Sequence, residues 1–211
     1  DVAVRQFQGI QTVDIGISLN EEADEEWDRV MKGLEDRGAA EYTYVMEKNM
    51  DLVTDKGVKS VYLVAGTEEG MEPFLNLHTR KGVPVDYPLE GEAVVSDRLA
   101  EDYHIGIGDS ISLRDGEMRS VTVTVSGIYE NYLYNYVHVS EETWIELTGE
   151  EPERKTVYLN LREDIREDAD ALDRAAHEIA AELMGEKQVL NVTVNADTME
   201  RIGNMMSSLN I

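Results

Sequence analysis

Four histidines, His78, His104, His138 and His177, are the imidazoles available for metal or acid–base chemistry. None of them lies at a His-x-His or His-x3-His spacing, so no local metal site is expected. Cysteine is absent, which excludes a thiol nucleophile, a disulfide and a thiolate ligand within the chain. Ser96 stands in Val94-Val95-Ser96-Asp97-Arg98, after a strand pattern and before a helical one, and so has the outline of a nucleophile elbow. The glycines of Gly-x-Ser-x-Gly are missing, and a helix N-cap is the better reading of this serine. Gly106-Ile107-Gly108-Asp109 lacks the Lys-Ser/Thr of a phosphate loop and reads as a turn. Carboxylates are so frequent, at 44 Asp and Glu, that a pair of them discriminates nothing. No Asp-x-Asp-x-Asp-Gly calcium loop is present. The expectation is therefore no catalytic residue, no cofactor and no metal ligand.

Tyr132, Tyr134 and Tyr136 are a different kind of candidate. On a strand their period-two spacing would place all three rings on one face. Two readings stand: packing beneath a neighbouring helix, or a surface offered to a partner or substrate, for which tyrosine's apolar ring and polar tip are suited.

The elements that position these residues can be read in order. Val13, Ile15, Ile17 and Leu19 alternate with smaller polar residues as a half-buried strand. Asn20 is expected to cap a helix with Glu21, Glu22 and Asp24 in its first turn, an apolar stripe of Ala23, Trp27, Val30, Met31 and Leu34, and Gly38 past its end. Strands follow at residues 42–46 and 58–65, separated by Asp55-Lys56-Gly57. Residues 66–88 read as a long crossing loop anchored by Phe74, Leu75 and Leu77. Residues 91–140 form one unit of strand, short helix, hairpin and strand, with a two-residue Asp115-Gly116 turn and a valine strand at 120–126. Ser140 caps a short helix, and a strand at 157–161, a helix ending at Gly185, a strand at 189–194 and a helical stripe from Met199 to Leu209 complete the chain.

The predicted fold class is α+β: β-α-β flanks forming a mixed sheet with helices on one face, plus an inserted small β-rich lobe. The expected organisation is 1–88 as the first part of the α/β lobe with its crossing loop, 89–150 as the inserted lobe, and 151–211 as the second part of the α/β lobe. Nineteen Lys and Arg against the 44 acids leave a net charge of -25, which repels phosphate backbones and anionic membranes, so no nucleic-acid partner is expected. An acidic surface of this kind attracts cationic peptides or simply keeps the chain solvated. No run of apolar residues is long enough to span a bilayer. A start at Asp1 and an end at Ile211 within a helical pattern suggest a piece of a longer protein.

Glu92-Ala-Val-Val-Ser-Asp-Arg-Leu-Ala, Gly108-Asp-Ser-Ile-Ser-Leu, the valine strand ending Ser126-Gly127-Ile128, and Tyr136-Val-His-Val-Ser before a helix together resemble the extracytoplasmic domain of FtsX/MacB-like ABC transporter permeases. Their order and spacing cover about a quarter of the chain, and the flanks and the Met-Met-Ser-Ser-Leu-Asn end are similar more loosely. The resemblance implies a domain between the first and second membrane helices of a permease, on the extracellular or periplasmic side of the cell membrane. It implies no catalysis of its own, a cytoplasmic ATPase subunit as partner, and a second permease domain or an extracytoplasmic protein as a further partner. Coupling to substrate export, or control of an outside partner, would be the task. A free-standing ligand-binding or adhesion module is the alternative, and a secreted hydrolase lies further off for want of a triad or metal set.

Overall fold

Alternation at Ile15–Leu19 makes strand β1, whose Ile15, Ile17 and Leu19 are buried while Gly16 and Ser18 are half-buried. In the computed structural model, which describes residue 2 and residues 5–209, β1 belongs to the first of two units: residues up to 44, 73–75 and from 153 onward. It pairs antiparallel with β8 (Thr156–Leu161) on one side and β9 (Val189–Val194) on the other. Two helices supply the cover. From α1 (Glu25–Gly33) come Trp27 and Met31, and from α6 (Ala169–Met184) come Ala176, Ile179 and Leu183, which join the β1 and β8 side chains in one apolar cluster. Both helices therefore pack on the same face of the sheet, as the fold class predicts. The short helix α5 (Glu163–Arg166) lies between β8 and α6, and helix α7 (Asn195–Leu209) follows β9 directly.

The first helix starts later than its sequence suggests. Asp24, not Asn20, is the N-cap, its carboxylate accepting from Trp27 N at 2.9 Å. Asn20 is engaged elsewhere, its amide donating to Lys187 O at 3.0 Å, so Glu21 and Glu22 stay outside the helix. Ahead of β1, Arg5–Ile10 form a π-helical segment.

Strand β2 (Ala39–Thr54) carries the chain into the second unit, residues 45–72 and 76–152. It turns through Asp55 and Lys56 into β3 (Gly57–Gly66), antiparallel with Thr54 opposite Gly57. The short helix α2 (Glu68–Met71) and the crossing residues lead to β4 (Glu92–Ser96), α3 (Asp97–Tyr103), β5 (Ser110–Arg114), β6 (Ser120–Tyr129), β7 (Tyr136–Ser140) and α4 (Glu141–Thr148). The strand order β3-β7-β4-β6-β5-β2, with β2 also paired to β3, closes the sheet on itself. A closed sheet has no exposed edge, and its interior is filled by alternate side chains. Leu52, Val61, Leu63, Leu113, Val123, Val137 and Val139 are among them.

This unit is larger than the 89–150 lobe read from the sequence, because β2 and β3 pair with β5 and β7. The outward residues of β2, such as Glu47, Asn49 and Asp51, are polar, which hides a 16-residue strand from a search for apolar runs. The hairpin between β5 and β6 also departs from a two-residue Asp115-Gly116 turn. Arg114 pairs with Ser120, and the five residues between are organised by Asp115, whose carboxylate accepts from Glu117 N and Arg119 N, both at 2.9 Å, and from Arg119 Nε at 2.8 Å. Those bonds hold the Asp115 carboxyl below the usual range.

The left-handed position in that loop falls on Met118, at φ +67°, with 67% of its side chain exposed. A non-glycine residue there pays about 1–2 kcal/mol in Cβ–carbonyl crowding, and this one recovers little by burial. Met118→Gly is expected to raise stability by about 0.5–1 kcal/mol, offset in part by the flexibility glycine adds to the unfolded chain. Urea melts of the two proteins, compared at equal m, check it.

Candidate interaction surface

Parallel pairing of β3 with β7 sets Tyr62 beside Tyr136 on the outside of the second unit. The chain enters β7 through residues 130–135, which are not a strand, so the period-two face expected of Tyr132, Tyr134 and Tyr136 is not a strand face. Only Tyr136 lies in β7. Tyr134 adopts φ +64° and Tyr132 sits earlier in the loop, its hydroxyl donating to the Glu130 carboxylate.

The loop is nonetheless tightly organised. Asn131, 2% exposed, donates through Nδ2 to Leu133 O at 2.8 Å and Tyr134 O at 2.9 Å, and its own N–H reaches Asp97 Oδ1 at 3.3 Å. Arg98 Nη1 donates to Tyr132 O at 2.8 Å, and Tyr62 N donates to Asn135 O at 2.8 Å. Glu130 also faces His78 Nε2 at 3.2 Å. These bonds bring two of the three predicted tyrosines together with one the sequence did not single out. The Tyr62 and Tyr134 rings meet edge to face at 5.7 Å, as do Tyr134 and Tyr136 at 5.9 Å, while the Tyr62 and Tyr136 rings are tilted at 6.1 Å. Tyr134 is 58% exposed and Tyr62 39%, while Tyr136 is half-buried. The result is an aromatic patch fixed from behind and open in front, able to bury ring area against a partner with little further loss of conformational freedom.

Behind it lies His138, 3% exposed, whose Nε2 is 3.0 Å from the Tyr129 hydroxyl and whose Nδ1 has no hydrogen-bond partner among the described residues. Burial pushes this imidazole down to about 4 and the Tyr129 phenol well up. Both groups are therefore neutral at pH 7, and neither reaches solvent. Ser96 is fully buried and accepts from Leu99 N at 3.3 Å, as an N-cap does.

The crossing residues before β4 line a second feature of this unit, a groove of about 620 Å³ that includes Pro84, Val85, Tyr87, Leu89, Ile107 and Ile128. Gly127 lets the crossing segment approach, because a Cβ there would stand 2.5 Å from Val85 Cγ1. Tyr87 anchors it by donating to Val139 O at 3.2 Å. No local signal marked this packing, since Val85 and Gly127 are far apart in the chain.

No family model matches the sequence, and neither does any curated protein. Solved structures do match. One is the extracellular domain of the noncanonic ABC-type transporter YknZ from Gram-positive bacteria, at 16% identity and a TM-score of 0.45, covering 83% of this chain and 100% of that one. Another is the periplasmic region of MacB from Actinobacillus actinomycetemcomitans, at 12% identity and a TM-score of 0.50, covering 97% of this chain and 99% of that one. The likeness to MacB extends over nearly the whole of both chains, and the chain has the fold of the periplasmic region of MacB.

Proposed function

We propose that this chain is the extracytoplasmic domain of an ABC transporter permease, joined through flanking membrane helices to a machine whose ATP is hydrolysed by a separate cytoplasmic subunit. The observation that carries the reading is the likeness of fold to the MacB periplasmic region over nearly the whole of both chains, an analogy at the level of fold that supports a permease domain ahead of a free-standing binding module or a secreted hydrolase. The composition is compatible with it: no thiol chemistry, a net charge of -25 suited to an aqueous compartment, and, among the described residues, no helix long and apolar enough to cross a membrane. In this reading the domain transmits motion to export or extract a substrate, or to control an outside partner. It performs no catalysis itself, and the patch of Tyr62, Tyr134 and Tyr136 contacts the partner.

Topology in the full-length protein tests the assignment. The domain contains no cysteine, so Tyr134→Cys provides a unique label at an exposed position once any cysteine elsewhere in the protein is replaced. A membrane-impermeant maleimide should modify it in intact cells. Labelling only after lysis would place the domain on the wrong side of the membrane and end the proposal.

A further inference from the structure

We propose that Asp173, His177 and Asp197 form a binding site for a first-row divalent cation of the zinc, cobalt or nickel kind. Asp173 and His177 stand four residues apart on α6, on one face of the helix, and Asp197 comes from the first turn of α7. Each of the three offers a donor atom within 4.8 Å of the others. His177 Nδ1 is 2.7 Å from the carbonyl of Asp173, a bond in which only the ring nitrogen can donate, so the proton is held on that side. Nε2 is thereby left as the coordinating atom, the arrangement in which metal-binding histidines are held by a backbone carbonyl. In the metal-free protein Nε2–H donates to the Asp197 carboxylate, its oxygens at 2.9 and 3.0 Å, an ion pair whose proton a cation has to displace.

Two donors at about 2.0–2.1 Å from one cation, in adjacent positions, lie about 2.8–3.4 Å apart, so Nε2 and Asp197 are already spaced as neighbouring ligands. The Asp173 carboxylate is 60% exposed and 3.3 Å from Nδ1, and it is the third donor of the group. Water from the open side fills the remaining positions. A cation entering takes the place of any proton on Nε2, which is released to solvent.

The donor set decides the class. Magnesium and calcium are held by oxygen ligands, whereas an imidazole beside two carboxylates favours the later first-row metals. Bound there, the ion would fasten α7 to α6 at the point where the chain leaves β9. The site is missed by a search for paired histidines because two of its three ligands are carboxylates, one of them twenty residues from the imidazole. In a chain with 44 acids neither carboxylate stands out.

Calorimetric titration of the untagged protein with zinc chloride, in 5 mM magnesium chloride, tests it. One saturable equivalent is expected. His177→Gln and Asp197→Asn should each weaken the affinity by about tenfold or more. Because the surface carries a net charge of -25, diffuse cation attraction is the competing explanation, and magnesium in excess suppresses it. Zinc binding unaffected by His177→Gln, or no saturable binding to the unsubstituted protein, overturns the proposal. As a readout independent of any variant, the His177 ring resonances of the unsubstituted protein must shift on zinc addition while those of buried His138 stay in place.

Discussion

Replacing Trp27 with Ala is expected to remove about 3–5 kcal/mol of stability, the usual cost of emptying a fully buried aromatic position. Trp27 is 1% exposed and packs among Ile15, Ile17, Leu19, Met31, Ile179 and Leu183, so its loss opens a cavity bounded by a sheet and two helices that cannot easily collapse. Against a total of about 5–15 kcal/mol for an ordinary domain, that is a large fraction. Trp27→Phe should cost much less than the lost volume alone suggests. The indole Nε1 has no hydrogen-bond partner among the described residues, and removing a buried unsatisfied donor returns about 1–3 kcal/mol of desolvation. Denaturant melts followed by far-ultraviolet circular dichroism should rank the proteins wild type, Trp27→Phe, Trp27→Ala. Equal losses for the two variants would show that the indole nitrogen is satisfied in solution.

Acidification should act on the second unit through His138. Its imidazole is buried with no carboxylate partner, facing the Tyr129 hydroxyl and the Tyr136 ring, and its folded pKa of about 4 lies below the ordinary 6.5. The unfolded chain therefore binds the proton first. Stability from this group is fully present above about pH 6.5 and is lost as pH falls through that value to the folded pKa, in all about 3 kcal/mol. Many carboxylates titrate in the same range, so the comparison that isolates His138 is the difference between wild type and His138→Phe. The variant should lose less stability between pH 7 and pH 4, by about 3 kcal/mol. Parallel curves for the two proteins would mean that water or a rearrangement solvates the imidazolium.

What could be read from the sequence were the elements whose side chains answer to local physics. Alternation at Ile15, Ile17 and Leu19, the serine caps at Ser96 and Ser140, and the apolar stripe ending at Leu183 each follow from chemistry within a few residues. Closure of the second unit was not legible, because pairing of β3 with β7 joins residues over seventy positions apart, and nothing local encodes a partner at that distance. The turn after β5 was misread for a related reason: Asp-Gly suggests a tight hairpin, but the Asp115 carboxylate finds three donors, two backbone and one from Arg119, and stabilises a longer loop. The tyrosines show both sides. Their residue types pointed to an aromatic surface, and Tyr134 and Tyr136 do touch, yet the strand that was to align them is a loop held by Asn131, and Tyr62 joins them only through the register of β3 against β7.

The claim that this surface serves a transporter is tested most directly by the Tyr62→Ala/Tyr134→Ala double variant of the full-length protein, reconstituted in liposomes with the ATPase subunit that the proposed function assigns to it. Both rings are exposed enough that the isolated domain should keep its melting temperature within about 4 °C. The account predicts that ATP-driven transport, or stimulation of ATP hydrolysis by the outside partner, falls at least tenfold while basal hydrolysis is unchanged. Full activity in the double variant, or a domain that simply melts, would contradict it.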